Sequence, residues 1–146
     1  SYYLRGNDSN TILIFLWLLL ISVFTDVGGY LFGKIFGGKR LTKISPNKTY
    51  SGSLGSFVFS FFLLITLTNI NIYDSLIEIN FKYILITIFL SFVSQIGDLI
   101  VSFFKRINKV KNTGNLLPGH GGLLDRIDGI IFVMPVAYFL IFFKIL

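Results

Sequence analysis

The chain has 146 residues, of which 53% are hydrophobic and 14% are charged, and its formal net charge is +6. This composition argues against a soluble domain, because a soluble domain of this length needs a more polar surface. The absence of cysteine excludes disulfides, thiolate metal sites and cysteine nucleophiles.

The apolar residues cluster in four segments, and each can cross a bilayer when one or two polar residues are allowed inside it. Such clustering indicates an integral, multi-pass membrane protein. We therefore predict an all-α fold, a polytopic transmembrane helical bundle in which residues 1–146 form a single membrane domain. The predicted spanning helices, about four in number, cover approximately residues 11–32, 55–73, 81–104 and 128–145.

The basic residues are gathered in two loops, and this placement predicts the orientation of the chain. The loop between the first two spans carries Lys34, Lys39, Arg40, Lys43 and Lys48. The loop before the last span carries Lys105, Arg106, Lys109, Lys111 and Arg126. Because basic loops remain in the cytoplasm, we expect both loops there, with the 74–80 connection and both chain ends outside. A chain that begins outside without a signal suggests that earlier spans precede it in a longer protein.

Two aspartates, Asp26 and Asp98, lie inside otherwise apolar spans, where a lone ionised carboxylate costs several kcal/mol. Asp26 precedes Lys34 by eight residues and Asp98 precedes Lys105 by seven, so both lie about 10–12 Å below the basic boundary. We therefore expect the two acids to share one cavity, where a metal, a cationic partner or water offsets their burial. Polar or small residues recur beside them at helical spacing, at Ser22, Gly29 and Gly33 and at Ser91, Ser94, Gln95 and Ser102.

The first basic loop offers groups that bind phosphate. From Gly33 to Gly55 it reads GKIFGGKRLTKISPNKTYSGSLG, and Pro46 rules out a continuous helix through it. Ser45, Lys48 and Thr49 are candidate ligands, because hydroxyl, backbone N–H and ammonium groups cradle phosphate oxygens. On charge alone, an ordinary solvated cytoplasmic loop remains an alternative.

The second basic loop combines basic and acidic residues with a glycine-rich turn. From Ser102 it reads SFFKRINKVKNTGNLLPGHGGLLDRID. A proline and three glycines surround His120, and Asp125 and Asp128 are spaced to share one face of a helix. The acidic oxygens suit a hard cation such as Mg²⁺, and the cationic side chains suit the phosphates bridged to it.

The order of residues in this string resembles the signature of the phosphatidate cytidylyltransferase (CDP-diacylglycerol synthase) family. The shared order is a serine, Lys105 and Arg106, Lys111, then Pro118, His120, Gly121 and Gly122, then Asp125, Arg126 and Asp128. The upstream stretches that look like the family are Asp26, Tyr30, Gly33 and Lys34, followed by Ser45, Pro46, Asn47, Lys48, Thr49 and Gly52. The resemblance covers nearly the whole chain, which looks like the C-terminal part of a longer member.

The resemblance implies a nucleotidyltransferase of phospholipid biosynthesis that converts CTP and phosphatidic acid into CDP-diacylglycerol and pyrophosphate. It implies that Asp98 and Asp125 bind the catalytic metals, Mg²⁺ with a second monovalent or divalent cation, and that Asp128 supports them. The implied phosphate-holding residues are Lys105, Arg106, Lys111 and Arg126, with His120 positioning a phosphate or shaping its loop. The implied substrate-binding residues are Ser45, Lys48, Thr49, Asp26, Gly121 and Gly122. The implied setting is the cytoplasmic membrane, with lipid and no nucleic acid as partners and a homodimer left open.

The chain departs from the family pattern at Asn112, Ser51 and Ser56, where the family usually has aspartate, glutamate and glycine respectively. An asparagine carbonyl can still ligate a cation but adds no charge, so these positions point to lower activity or altered surroundings of the site. Three alternatives stay open at this point. They are a transporter or channel that uses the intramembrane aspartates, a CTP-dependent relative acting on another lipid phosphate or a polyprenyl alcohol, and a non-catalytic partner subunit.

Overall fold

The protein is a four-helix bundle in its computed structural model, which describes residues 9–42, 45, 48–69, 80–108 and 124–143. Side chains are described from residue 12 onward in the first range and from residue 128 onward in the last. The helices in chain order are α1 (Ser9–Phe36), α2 (Tyr50–Thr68), α3 (Phe81–Ile107) and α4 (Leu124–Phe142). The described residues contain no strand, only an isolated bridge between Arg40 and Thr49. The predicted all-α fold is confirmed.

Three helical stretches are long and apolar enough to cross a membrane, namely Ile12–Phe36, Tyr50–Thr68 and Phe81–Ile107. A spanning helix needs about 20 predominantly apolar residues, because each residue adds only about 1.5 Å of length. The apolar part of α4 within the described residues, Asp128–Phe142, is shorter. The chain is therefore a multi-pass membrane protein, as its composition predicts.

The helix ends differ from the predicted spans, because backbone conformation rather than hydrophobicity decides where a helix stops. α1 continues beyond residue 32 to Phe36 and is followed by Gly37 and Gly38, whose φ angles of 56° and 106° leave the helical region. α3 continues beyond residue 104 to Ile107, and α4 begins at Leu124 rather than at 128.

α2 shows the largest shift from its predicted span of 55–73. It begins at Tyr50 because Thr49 caps it, with the Thr49 side-chain oxygen accepting a 3.1 Å hydrogen bond from the Gly52 backbone N–H. It ends at Thr68. The glycines and serines of its first turns, which read as loop in the sequence, are therefore helical.

The apolar core occupies the end of the bundle away from the basic loops. Trp17, Leu18 and Ile21 of α1 are fully buried and lie on one helical face. They pack with buried residues of the other helices, namely Leu63, Leu64, Leu67, Ile86, Leu90, Val133 and Ala137. The Trp17 ring meets the Tyr83 ring edge-on, with centroids 6.1 Å apart. This core fixes the helices together at one end of the bundle.

Hydroxyl groups join the helices closer to the basic loops. The Thr25 hydroxyl of α1 lies 2.9 Å from the hydroxyls of both Ser60 on α2 and Ser91 on α3. The hydroxyl oxygens of Ser22 and Ser94 are 3.0 Å apart, and all five residues are buried. Such contacts between helices replace hydrogen bonds that lipid cannot provide. The polar residues predicted to share a face of each helix therefore point into the bundle at these positions.

α1 and α2 cross with their backbones in close approach. A Cβ atom added at Gly28 would lie 2.6 Å from the Gly55 carbonyl oxygen, and one added at Gly55 would collide with the Phe32 side chain. Only glycine leaves room for this crossing. The crossing holds the start of α2 against the last turns of α1, close to Asp26.

Candidate active site

A cavity of about 660 Å³ lies where the first basic loop meets the helices. Three aspartates from three different helices line it, namely Asp26 of α1, Asp98 of α3 and Asp128 of α4. Lys48 and Thr49 of the first basic loop line it as well. The prediction that Asp26 and Asp98 share one cavity is confirmed, and Asp128 joins them.

Asp98 and Asp128 form the charged centre of this cavity. Their carboxyl groups interact with each other, Lys48 forms an ion pair with Asp98, and the Lys105 ammonium lies 3.8 Å from the Asp128 carboxylate. The Asp128 side chain is only 5% exposed, and it also accepts a 3.0 Å hydrogen bond from the Gly129 backbone N–H. Two adjacent carboxylates repel each other, most strongly where one of them is buried as Asp128 is, so the two lysines supply charge that the site requires.

The first basic loop folds back on itself and so brings Lys48 to Asp98. The Leu41 backbone N–H donates to the Lys48 carbonyl at 2.7 Å, and the Tyr50 N–H donates to the Lys39 carbonyl at 3.2 Å. These two bonds pair the entering and leaving arms of the loop just before α2 begins. Lys48 therefore lies where the two paired arms of the loop meet α2, and not in a freely solvated loop.

The amino-terminal end of α2 faces the same cavity. Thr49, Gly52 and Ser53 all line it. The first turn of a helix carries N–H groups without intrahelical partners and a partial positive charge. Together with the Lys48 ammonium, this end makes part of the cavity wall electropositive, which suits phosphate oxygens.

Two residues that depart from the family pattern have structural contacts that connect α1 to α2. The Ser51 hydroxyl donates to the Gly37 carbonyl at the end of α1. The buried Ser56 hydroxyl donates to the Thr25 carbonyl at 2.7 Å. The second contact joins two residues that line the cavity, Thr25 and Ser56, whereas Asn112 lies outside the described residues.

The remaining predicted site residues are only partly covered by the described structure. Ser45 does not line the cavity, and its carbonyl accepts a 3.1 Å hydrogen bond from the Lys48 backbone N–H. Lys105 contacts Asp128, and Arg106 is exposed at the end of α3. The residues outside the described part are Lys111, His120, Gly121 and Gly122, together with the side chains of Asp125 and Arg126. Their roles, and a substrate contact by Ser45, stay predictions.

The sequence alone assigns no role to two polar cavity residues, Ser53 and Gln95, although Gln95 belongs to the polar residues at helical spacing on α3. Both line the cavity, and the Ser53 hydroxyl donates to Gln95 Oε1 at 2.5 Å. The available signal was the position of Gln95 three residues before Asp98, which places both on one helical face.

The donor set of the cavity suits a hard divalent cation. Asp98 and Asp128 offer neighbouring carboxylate oxygens, the ligand type that Mg²⁺ prefers. Among the residues with described side chains, no three acidic or histidine residues form a ready ligand cluster. Position 125 lies on α4 one turn before Asp128, but its side chain is outside the described part. The assignment of the metal to Asp98 and Asp125 therefore stays a prediction.

The sequence of the chain is similar to those of known proteins. Residues 1–144 match the model of the cytidylyltransferase family. A phosphatidate cytidylyltransferase of Bacillus subtilis (strain 168) is 41% identical over 142 residues, which are 94% of this chain and 51% of that protein. Phosphatidate cytidylyltransferases of Staphylococcus haemolyticus and Staphylococcus aureus (strain COL) are 39% and 43% identical, over 53% and 48% of their lengths and 95% and 86% of this chain. The chain spans about half the length of these curated relatives. Since the family match covers almost every residue, the chain belongs to the cytidylyltransferase family.

Proposed function

We propose that the protein containing this chain transfers a cytidylyl group from CTP to phosphatidic acid and releases pyrophosphate. The observation that carries this proposal is the cavity in which Asp98, Asp128 and Lys48 meet the amino-terminal end of α2. It combines acidic oxygens for a cation with positive groups for phosphates, at one end of an apolar bundle. The names of the relatives support the same reaction.

In the proposed reaction, a phosphate oxygen of the lipid attacks the α-phosphorus of CTP. The bond between the α-phosphorus and the oxygen that bridges to the β-phosphorus breaks, and pyrophosphate leaves with that oxygen. No protein nucleophile takes part, so positioning and charge neutralisation account for the rate enhancement. Lys48 and the partial positive charge at the start of α2 would attract phosphate oxygens and hold the two reactants in line.

Asp98 and Asp125 would hold Mg²⁺, with Asp128 beside them and a second cation left open. An ion bound there would neutralise part of the negative charge of the phosphates. The excess of lysine and arginine in both basic loops predicts that the cavity opens toward the cytoplasm, where CTP is dissolved. Phosphatidic acid would enter from the same leaflet, because its phosphate lies at the membrane surface. A homodimer stays a prediction.

The proposal is tested by replacing Asp98 in the full-length protein. Membranes that contain the Asp98→Asn variant should incorporate labelled CTP into lipid about 10³-fold more slowly than the wild type, because a carboxylate proposed to hold the cation at the reacting phosphates is lost. Asp74→Asn is the matched control, since Asp74 belongs to the predicted external connection. Near-normal product formation by Asp98→Asn, at an equal amount of protein in the membrane, would remove Asp98 from the mechanism.

A further inference from the structure

Gln95 presents an amide group that the protein itself only half satisfies. The Ser53 hydroxyl of α2 donates to Gln95 Oε1 at 2.5 Å, so α2 holds the oxygen side of the amide. The Gln95 Nε2 atom is buried and has no hydrogen-bond partner among the described residues. A buried amide donor without an acceptor destabilises a folded protein, so such groups almost always have a partner. Because both residues line the cavity, a bound ligand can provide the acceptor.

The position of Gln95 along α3 narrows the chemistry of that acceptor. Gln95 precedes Asp98 by three residues, which places it about 4.5 Å farther from the basic end of the helix at Lys105. One turn beyond Gln95, the Ser91 hydroxyl already accepts a 2.9 Å hydrogen bond from the Thr25 hydroxyl. Gln95 is therefore a polar group on the side of the cavity that faces the apolar core, below the level of Asp98 and Lys48.

A phospholipid whose phosphate lies near Lys48 and Asp98 extends in this direction. Its glycerol and its two ester carbonyls follow the phosphate by a few bonds and lie deeper in the bilayer. A neutral amide N–H suits a neutral carbonyl oxygen, whereas phosphate oxygens are matched by the Lys48 ammonium at the level above. The nucleotide approaches from the aqueous side and does not need to reach this depth.

We infer that the Gln95 amide, held by Ser53, donates a hydrogen bond to an ester carbonyl of the diacyl lipid and so selects ester-linked over ether-linked phosphatidic acid. This inference rests on the proposed function. Gln95 acts here as a specificity-determining residue, because the hydrogen bond lies away from the atoms that react. A dialkyl phosphatidic acid has the same phosphate and chain length but lacks the carbonyl acceptors.

The test compares kcat/KM for dioleoyl phosphatidic acid and for its dialkyl ether analogue in the full-length protein, in mixed micelles with labelled CTP. The wild type should prefer the ester lipid by about 3–10-fold, the usual effect of one neutral hydrogen bond. In Gln95→Met this ratio should fall to near one, and in Ser53→Ala it should fall part of the way. Asn69→Leu, which removes an exposed amide at the far end of α2, should keep the wild-type ratio.

The ratio is measured on one preparation with two lipids, so it does not depend on the fraction of protein that is folded. If Gln95→Met has too little activity to measure, the Ser53→Ala ratio decides, and a wild-type ratio there overturns the inference. A wild-type ratio in Gln95→Met overturns it as well. So does a rise in KM for CTP accompanied by equal losses with both lipids, since the amide would then contact the nucleotide. If the wild type converts neither lipid, the proposed function itself fails.

Discussion

The crossing of α1 and α2 provides a prediction whose magnitude follows from interatomic distances. In Gly28→Ala the new Cβ would lie 2.6 Å from both the Gly55 carbonyl oxygen and the Phe59 Cβ, whereas ordinary contacts begin near 3.4 Å. The helices must therefore separate by about 0.8 Å, the difference between these two distances. Overpacking of this kind costs about 1–3 kcal/mol, and the better helix propensity of alanine returns up to about 1 kcal/mol. The expected net loss of stability is modest.

The expected loss of activity is larger, because α2 carries one wall of the cavity. A displacement near 1 Å moves Thr49 and Lys48 relative to Asp98, and misplacement on this scale costs up to about 10²-fold in rate. We expect Gly28→Ala to lower product formation by about 10–10²-fold, with a small fall in the thermal unfolding temperature of the detergent-solubilised, full-length protein. Leu54→Ala is the control, because Leu54 is 66% exposed next to Gly55 and the change adds no bulk. Wild-type turnover in Gly28→Ala would refute the close crossing.

Two further predictions concern the charges of the cavity. Lys48→Met should lower kcat/KM for CTP by about 10–10²-fold, because the ammonium group proposed to bind the phosphates is lost. Lys39→Met, which changes an exposed residue of the same loop, should have little effect. Equal losses in the two variants would indicate that only the overall charge of the loop matters. Chelation of divalent cations should stop incorporation of labelled CTP into lipid, and Mg²⁺ should restore it; turnover that persists in the chelator would exclude a role for the metal.

The depth of the acidic residues was predictable from sequence, because a helix converts residue number into distance along the bilayer. The spacings from Asp26 to Lys34 and from Asp98 to Lys105 sufficed to place both acids in one cavity. Asp128 was expected near them only because the chain resembles the family. Its contact with Asp98 follows from the packing of α3 against α4. Sequence periodicity indicates which face of a helix is buried, but not which helix packs against that face.

The start of α2 could not be predicted in the same way. Its first turns are rich in glycine and serine, residues with poor helix propensity, and they form a helix because the Thr49 cap and the close contact with α1 offset that cost. The pairing of Lys48 with Asp98 connects positions that are 50 residues apart, and it depends on the hairpin bonds at Leu41. The contacts of Ser51 and Ser56 also arise only when α1 and α2 meet. Both departures from the family pattern therefore have contacts that connect α2 to α1 and the residue after it.

The formal charges of the cavity connect its stability to its proposed chemistry. Among the described residues, Asp26, Asp98 and Asp128 line it, and Lys48 and Lys105 contact two of these acids. In their charged forms these groups leave an excess of negative charge, and a nucleotide triphosphate adds several more. A polyanion cannot enter such a site unless positive charge accompanies it, because like charges repel strongly where water is scarce. If these acids hold a divalent cation, as proposed, substrate binding depends on that cation, and we expect removal of Mg²⁺ to weaken CTP binding as well as turnover.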